Sequence, residues 1–236
     1  MARRQRRAFL MRWNPRISSY TQERFDKDFP SGEACDDWSI WDYQKSHSGD
    51  LYFMAKVGSK VNGIVWGGYL NGRPYQLQDI ATDQILPGRF IKLTYQFIQD
   101  IDKQRAFTSD ELSEVLPNID WDHGHSGVQL SIEDSEKLAL YLGNMMLHMK
   151  EDKYITYDSY EEKHYVICDM ITYLCPQLKE RLLKEGKIAD GYKPAKEITD
   201  IGVNYIENAV KENTCLEDIL FLTNINGELI LLSDED

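Results

Sequence analysis

The sequence predicts an α+β fold: a small β-barrel with flanking helices over residues 1–150, followed by a mainly helical segment over 151–236 that ends in a β-hairpin. Three observations predict it. Phe9-Leu-Met-Arg-Trp13 is mostly apolar and runs into Asn14-Pro15, as a buried strand does when a proline removes the next ladder donor. Leu51–Val57 and Ile64–Leu70 are apolar runs either side of a loop that ends in Asn62-Gly63, which is a hairpin signal. After about residue 150 this character changes, and Ile198, Ile201, Tyr205 and Ala209 recur at helical spacing.

Taken in order, Ser18–Glu23 offers polar capping groups that lead into a short helix through Phe25. A polar loop at Pro30–Gly32 precedes the aromatic-rich stretch Trp38–Tyr43, and Ser46–Asp50 is a turn cluster. In the strand Ile64–Leu70, Gly67-Gly68 predicts a bulge or the close approach of another backbone. Asn71-Gly72, with Pro74, predicts the end of that strand, and Phe90–Ile98 is a further strong strand. The four strands Phe9–Trp13, Leu51–Val57, Ile64–Leu70 and Phe90–Ile98 are expected to share one sheet. Thr108–Glu111 caps a short helix through Val115. Leu116–Gly127 is too polar and too broken by glycine to be regular structure. Ser131–Asp134 resembles a capping box with Asp in place of Glu, and the helix behind it sets Leu138, Leu142, Met145 and Met149 on one stripe.

In the last third, Tyr160–Tyr173 reads as a helix stopped before Pro176, which starts another ending at Gly186. Glu197–Glu212 is a third helix. Ile219–Leu222 and Leu229–Leu232 flank an Asn224–Gly227 turn and form the terminal hairpin.

Composition bounds the function. Hydrophobic residues make up 42% and charged residues 28%, as in an ordinary globular chain. No apolar run approaches the roughly 18 residues that span a bilayer, and Phe9–Met11 after the basic Arg3–Arg7 start is too short for a signal-peptide core. A cytoplasmic protein with no membrane partner is expected. Cys35, Cys168, Cys175 and Cys215 form no Cys-x-x-Cys pair, so they read as free thiols rather than a zinc or redox site. The net charge of −12 is uneven. Residues 1–150 carry 18 Lys and Arg against 20 Asp and Glu, while 151–236 carry 9 against 19. The acidic segment therefore cannot supply the cations that release counterions from a nucleic acid, whereas the cluster Arg3–Arg16 can.

The side chains that point to chemistry lie near the expected strand ends. Arg12, Trp13 and Asn14 close the first strand; Asn offers a donor and an acceptor together and Trp a stacking face, the two contacts that a flat, hydrogen-bonding ring such as a flipped-out base requires. The plainer alternative puts Trp13 in the core and Asn14 in the turn before Pro15. Trp38 and Trp41 are three apart and share a side only on a helix; at least one is expected to line the ligand pocket, and both are counted with Arg12, Trp13, Asn14 and Ser126 as residues that converge on one mouth of the barrel. Trp66 reads as core. Asp120-Trp-Asp-His-Gly-His125 contains metal-ligand types, but His-x-His without a third ligand at recognisable spacing is a weak metal signal. A hydrogen-bonding loop with Trp121, His125, Ser126 and Gly127 toward a ligand is the stronger functional reading, with a rigid structural turn as its alternative. There is no nucleophile elbow, no glycine-rich dinucleotide fingerprint and no phosphate-binding loop; no catalytic residue and no cofactor is expected.

The order of these pieces resembles the EVE domain of the PUA-like superfamily over roughly residues 8–147. The matching pieces are the Phe9–Pro15 strand, the Thr21–Asp28 helix, the Trp-led Trp38–Lys45 segment and the Gly49-Asp50 strand entry. The Asn62-Gly-Ile-Val-Trp-Gly-Gly68 hairpin, the Phe90–Ile98 strand and Ser126–Ser131 complete the set. The first strand ends Met-Arg-Trp-Asn-Pro where the family usually has a Lys/Thr-Glu-Pro ending. The resemblance implies a PUA-like barrel that reads a modified or unpaired base in DNA or RNA, in a family that often accompanies nucleases in bacterial defence. Two other readings stand beside it. One is an interaction scaffold that docks a partner through the acidic segment 151–236. The other is a metal-dependent hydrolase using Asp120, Asp122, His123 and His125.

Overall fold

A computed structural model describes residues 7–78, 83–149 and 153–157 of the chain. The expected helices at 160–173, 176–186 and 197–212, the hairpin at 219–232, and Arg3, Arg4 and Arg6 lie outside the described residues. The architecture is α+β, with one mixed sheet curled into a half-barrel and a few short helices.

The strands are β1 (Ala8–Trp13), β2 (Asp37–Ser39), β3 (Leu51–Lys56), β4 (Gly63–Tyr75), β5 (Phe90–Gln99), β6 (Val128–Gln129) and β7 (Ile155–Tyr157). They lie in the order β2-β5-β4-β3-β1-β6, with β7 also paired to β5. The four strands read from the sequence do share this sheet. β3, β4 and β5 form an antiparallel meander, whereas β1 runs parallel to β3 with Trp13 opposite Lys56. A parallel neighbour needs a crossover, and here it carries helix α1 (Gln22–Asp28) and strand β2. β1 is buried at every position but Arg12, and β3 throughout, which explains their near-continuous apolar runs.

The curl comes from two irregularities that flank Trp66. Pairing shifts between Met54 and Ala55 on β3, and again between Gly67 and Gly68 on β4; an extra residue on one strand bends it and sharpens the local twist. Both readings of Gly67-Gly68 hold. A Cβ on Gly67 would sit 2.8 Å from the Phe97 ring, and one on Gly68 would collide with the Thr94 carbonyl oxygen. The strand does not end at Asn71-Gly72 as expected. It continues to Tyr75, with the ladder interrupted between Asn71–Lys92 and Tyr75–Phe90. The gap accommodates the φ of +79° at Gly72 and the missing N–H of Pro74.

Inside the curl, Trp13, Tyr20, Phe25, Trp38 and Trp66 form one aromatic core. Trp13 lies 5.3 Å from Trp66 and 5.2 Å from Phe25 between ring centroids, and Trp38 meets Trp66 edge-on at 6.2 Å. These distances lie in the range where aromatic pairs add about 0.5–1.5 kcal/mol beyond their burial. The local signals are met: Thr21 caps α1 by accepting from the Arg24 N–H, and Thr108 and Glu111 form a reciprocal capping box on α3 (Ser109–Val115). Between β5 and α3 lies the one-turn helix α2 (Ile101–Gln104), tied to β3 by the 2.6 Å ion pair of buried Lys56 with Asp102.

The chain divides into two compact units. The sheet-bearing unit is Arg6–Ser131 together with Asp152–Ser159, so the division differs from a single cut at residue 150. β7 returns to the sheet, pairing Ile155 with Gln99. Helix α4 (Ile132–His148) belongs to the second unit, where Leu138, Leu142 and Met146 are buried and Met145 and Met149 are half-buried. No helix among the described residues is long and apolar enough to cross a membrane.

The close approach at Gly68 yields a prediction. Gly68→Ala is expected to destabilise the protein by roughly 3 kcal/mol or more, because backbone rather than a flexible side chain must move. Gly72→Ala, with open space around its Cβ position, is expected to cost only about 1–2 kcal/mol from its left-handed backbone. Chemical denaturation of the two variants checks the order.

Candidate functional site

Six of the nine residues singled out from the sequence meet where the two ends of the curled sheet approach each other. β1 outruns β6: the β6 pairing covers Phe9 and Leu10, and Gly127 N–H donates to the Leu10 carbonyl. The next peptide group, at Arg12, is completed by side chains. Ser126 Oγ accepts from the Arg12 N–H at 3.0 Å, and Trp38 Nε1–H lies 3.1 Å from both the Arg12 carbonyl and Ser126 Oγ. Ser126 Oγ in turn reaches the Ser39 carbonyl at 3.3 Å, while Trp41 and Asp42 N–H donate to the carbonyls of Ser126 and Gly127. β2 and its continuation are thereby stitched to the loop that leads into β6. Gly127 is required here, since its φ is +76° and a Cβ would meet Ile40 Cα at 2.5 Å.

The Arg12 side chain crosses the same loop. Its Nη1 and Nη2 donate to the carbonyls of His125 and Asp120, both at 2.6 Å. Partial burial lowers its pKa from the ordinary arginine value, and the charge of Asp120 opposes that shift. Asp120 Oδ1 accepts from the N–H groups of His123 and Asp122. The His123 N–H first, and then that of Asp122, hold its carboxyl below the usual range. The loop is thus folded on its own hydrogen bonds and clamped from beneath by one guanidinium.

On this clamp stands the exposed part of the site. The Trp41 and His125 rings stack with centroids 3.6 Å apart and planes 2° from parallel. Trp41 is 59% exposed, by far the most exposed tryptophan whose surroundings place it near this seam. Asp42 supports the turn behind it, accepting from the Gln129 N–H and the Lys45 ammonium at 2.9 and 3.1 Å.

The remaining predicted residues go elsewhere. Trp13 was expected as a stacking face, yet it is fully buried and donates from Nε1 to the Tyr20 carbonyl. Strand alternation explains this: Arg12 and Trp13 leave β1 on opposite faces. Asn14 spends its side-chain oxygen on the Arg16 N–H and its carbonyl on the turn through Ser18. Trp121 is buried within its loop. Trp38 and Ser126 are part of the seam, and every hydrogen-bonding atom of the Ser126 hydroxyl is engaged there. Sequence reasoning missed Ser39 and Asp42, whose roles depend on a contact across some ninety residues and leave no local signal. Among the described residues, no group of three or more His, Cys, Asp or Glu side chains is placed to hold a metal ion.

Removing the Ser126 hydroxyl orphans the Arg12 N–H, so Ser126→Ala is expected to cost about 1–3 kcal/mol of stability. Trp41→Ala removes exposed surface and is expected to stay within roughly 0.5 kcal/mol of the parent. Paired thermal and denaturant unfolding curves separate a structural seam from an exposed plate. Comparison with known protein families, with curated proteins and with solved structures returns no match, so the geometry of the seam and plate carries the functional reading.

Proposed function

We propose that the protein is a non-enzymatic nucleobase-binding module of PUA-like, EVE-like kind, which takes a modified or unpaired base of DNA or RNA onto the Trp41–His125 plate. The observation that carries this reading is the coplanar, exposed pair itself. Large aromatic rings are normally buried, and here an indole is held flat by an imidazole at 3.6 Å while keeping more than half of its surface in water. A flat ring stacked on such a platform is worth about 1–3 kcal/mol. That stacking offsets much of the few kcal/mol needed to extrude a base, a cost that falls when the base is modified or already unpaired.

Preorganisation supports the same reading. The plate is fixed by backbone bonds of Trp41 and Asp42 to the Ser126–Gly127 segment and by the Arg12 clamp on His125, so little ordering entropy remains to be lost on binding. The curled mixed sheet and the order of its elements also agree with the resemblance to the EVE domain. Any strand cleavage associated with such binding would come from a partner nuclease.

Binding of free nucleosides and of modified nucleosides, followed by titration calorimetry, tests the proposal. Trp41→Ala is expected to weaken binding by about 1–3 kcal/mol, and His125→Phe, which keeps a flat ring under the indole, to retain most of it. Equal affinity in the parent and in Trp41→Ala would remove the plate as the binding surface.

A further inference from the structure

The residues that follow Trp41 form a short cationic strip on the same unit. Tyr43–Lys45 is a single helical turn. Arg7 Nη1 donates to the Lys45 carbonyl at 2.7 Å, and the Arg89 guanidinium lies over the Tyr43 ring, 5.4 Å from its centroid. Arg89 also presents its carbonyl to the Ile40 N–H, one residue from the plate. The strip therefore runs from Arg7 through Lys45 and Arg89 to Trp41. Its carboxylates are consumed internally. Asp42 is engaged by the Gln129 N–H and Lys45. Asp50 is fully buried and accepts from the N–H groups of Arg7 and His47. Arg7 and Arg89 have no carboxylate partner among the described residues, and Lys45 keeps a side chain 55% exposed despite its pair with Asp42.

We propose that this strip is a phosphate track, and that the ligand of the plate is a single-stranded nucleic acid rather than a free nucleoside. The proposal rests on the nucleobase reading of Trp41 and extends it from one base to its neighbours along the strand. In a chain of net charge −12, three cations beside an exposed aromatic pair, with their local carboxylates turned inward, give an anionic polymer a place to lie. Aromatic faces interleaved with cations along a surface are what non-sequence-specific strand binding uses. Arg12 takes no part in the track, since both its terminal nitrogens are committed to loop carbonyls. A duplex fits less well, because its base faces are already stacked.

The test uses the full chain and a fluorescently labelled oligothymidylate of about ten nucleotides, a length matched to a small single-strand site, titrated at several salt concentrations. Three phosphate contacts at roughly 0.7 each predict a slope of log affinity on log salt near −2. The triple variant Arg7→Gln, Lys45→Gln, Arg89→Gln is expected to bring that slope close to zero. Lys45→Gln alone, at the most exposed of the three, is expected to reduce it by about 0.7, which keeps the test decisive if the triple variant folds poorly. Trp41→Ala is expected to weaken binding about tenfold at every salt concentration while leaving the slope intact. A parent slope in both the Lys45→Gln and the triple variant would overturn the track while leaving the plate standing. An unaltered Trp41→Ala affinity with a slope that still depends on the three cations would support the track and remove the base reading. Polyglutamate bound as tightly as the oligonucleotide would replace the nucleic acid by an acidic protein partner, and absence of oligonucleotide binding at low salt would overturn the proposal outright.

Discussion

The peptide group of Arg12 is the constraint on which the rest depends. β1 continues beyond the end of its short neighbour β6, and a strand edge left open in a partly buried position carries an N–H and a carbonyl that must find partners. Here a serine hydroxyl and an indole N–H supply them from two distant parts of the chain. Each of those side chains belongs to an opposite end of the curled sheet, Trp38 to β2 and Ser126 to the approach to β6. Satisfying one peptide therefore draws the two ends together. A hydroxyl that accepts from two donors and reaches a third group is a compact junction, and no aliphatic replacement of similar size reproduces it.

Once the ends are joined, the exposed plate follows from the same bonds. Trp41 lies three residues beyond Trp38, and its N–H is held by the Ser126 carbonyl. With the backbone pinned on both sides, its indole is carried out of the core that claims Trp38. His125 precedes the serine and is fixed through its carbonyl by Arg12. The two rings meet because their backbones are neighbours across the seam. Backbone geometry thus separates the rings around Trp66, which are buried in the core, from the Trp41–His125 pair, which stands exposed at the seam.

Much of this was legible from the sequence. The four long strands, the two capped helices and the glycine pair in β4 all rest on short-range signals such as alternation, capping residues and glycine, whereas their order in the sheet, with β1 parallel to β3, does not. Six of the candidate residues lie together at the seam because strand ends and polar loops meet there. What remained hidden is long-range. Alternation alone places Arg12 and Trp13 on opposite faces, yet which face is the core depends on where α1 packs. The continuation of β4 past Pro74 depends on a ladder gap that only the partner strand defines. Ser126 looked like a ligand contact, being a hydroxyl in a polar loop, and its commitment to Arg12 and Trp38 arises only once residues more than eighty apart come into register.

β5 has two neighbours on its outer edge. β2 covers Phe90–Lys92 and β7 covers Phe97–Gln99, and the Asp100 N–H donates to the Tyr154 carbonyl. The last strand of the sheet is thus encoded after α4, some fifty residues beyond the strand it completes. During synthesis the ladder at Phe97–Gln99 stays open until residues 153–157 emerge, a long loop to close and a slow kind of contact. The backbone of Phe97–Gln99 is an unpaired strand edge over that interval, the sort of template on which other strands add. A chain cut at the apparent boundary near residue 150 would keep every residue of the seam and plate and still lack this cover. The place where the sequence changes character is therefore a poor place to divide the protein, since the sheet draws its final edge from the other side of it.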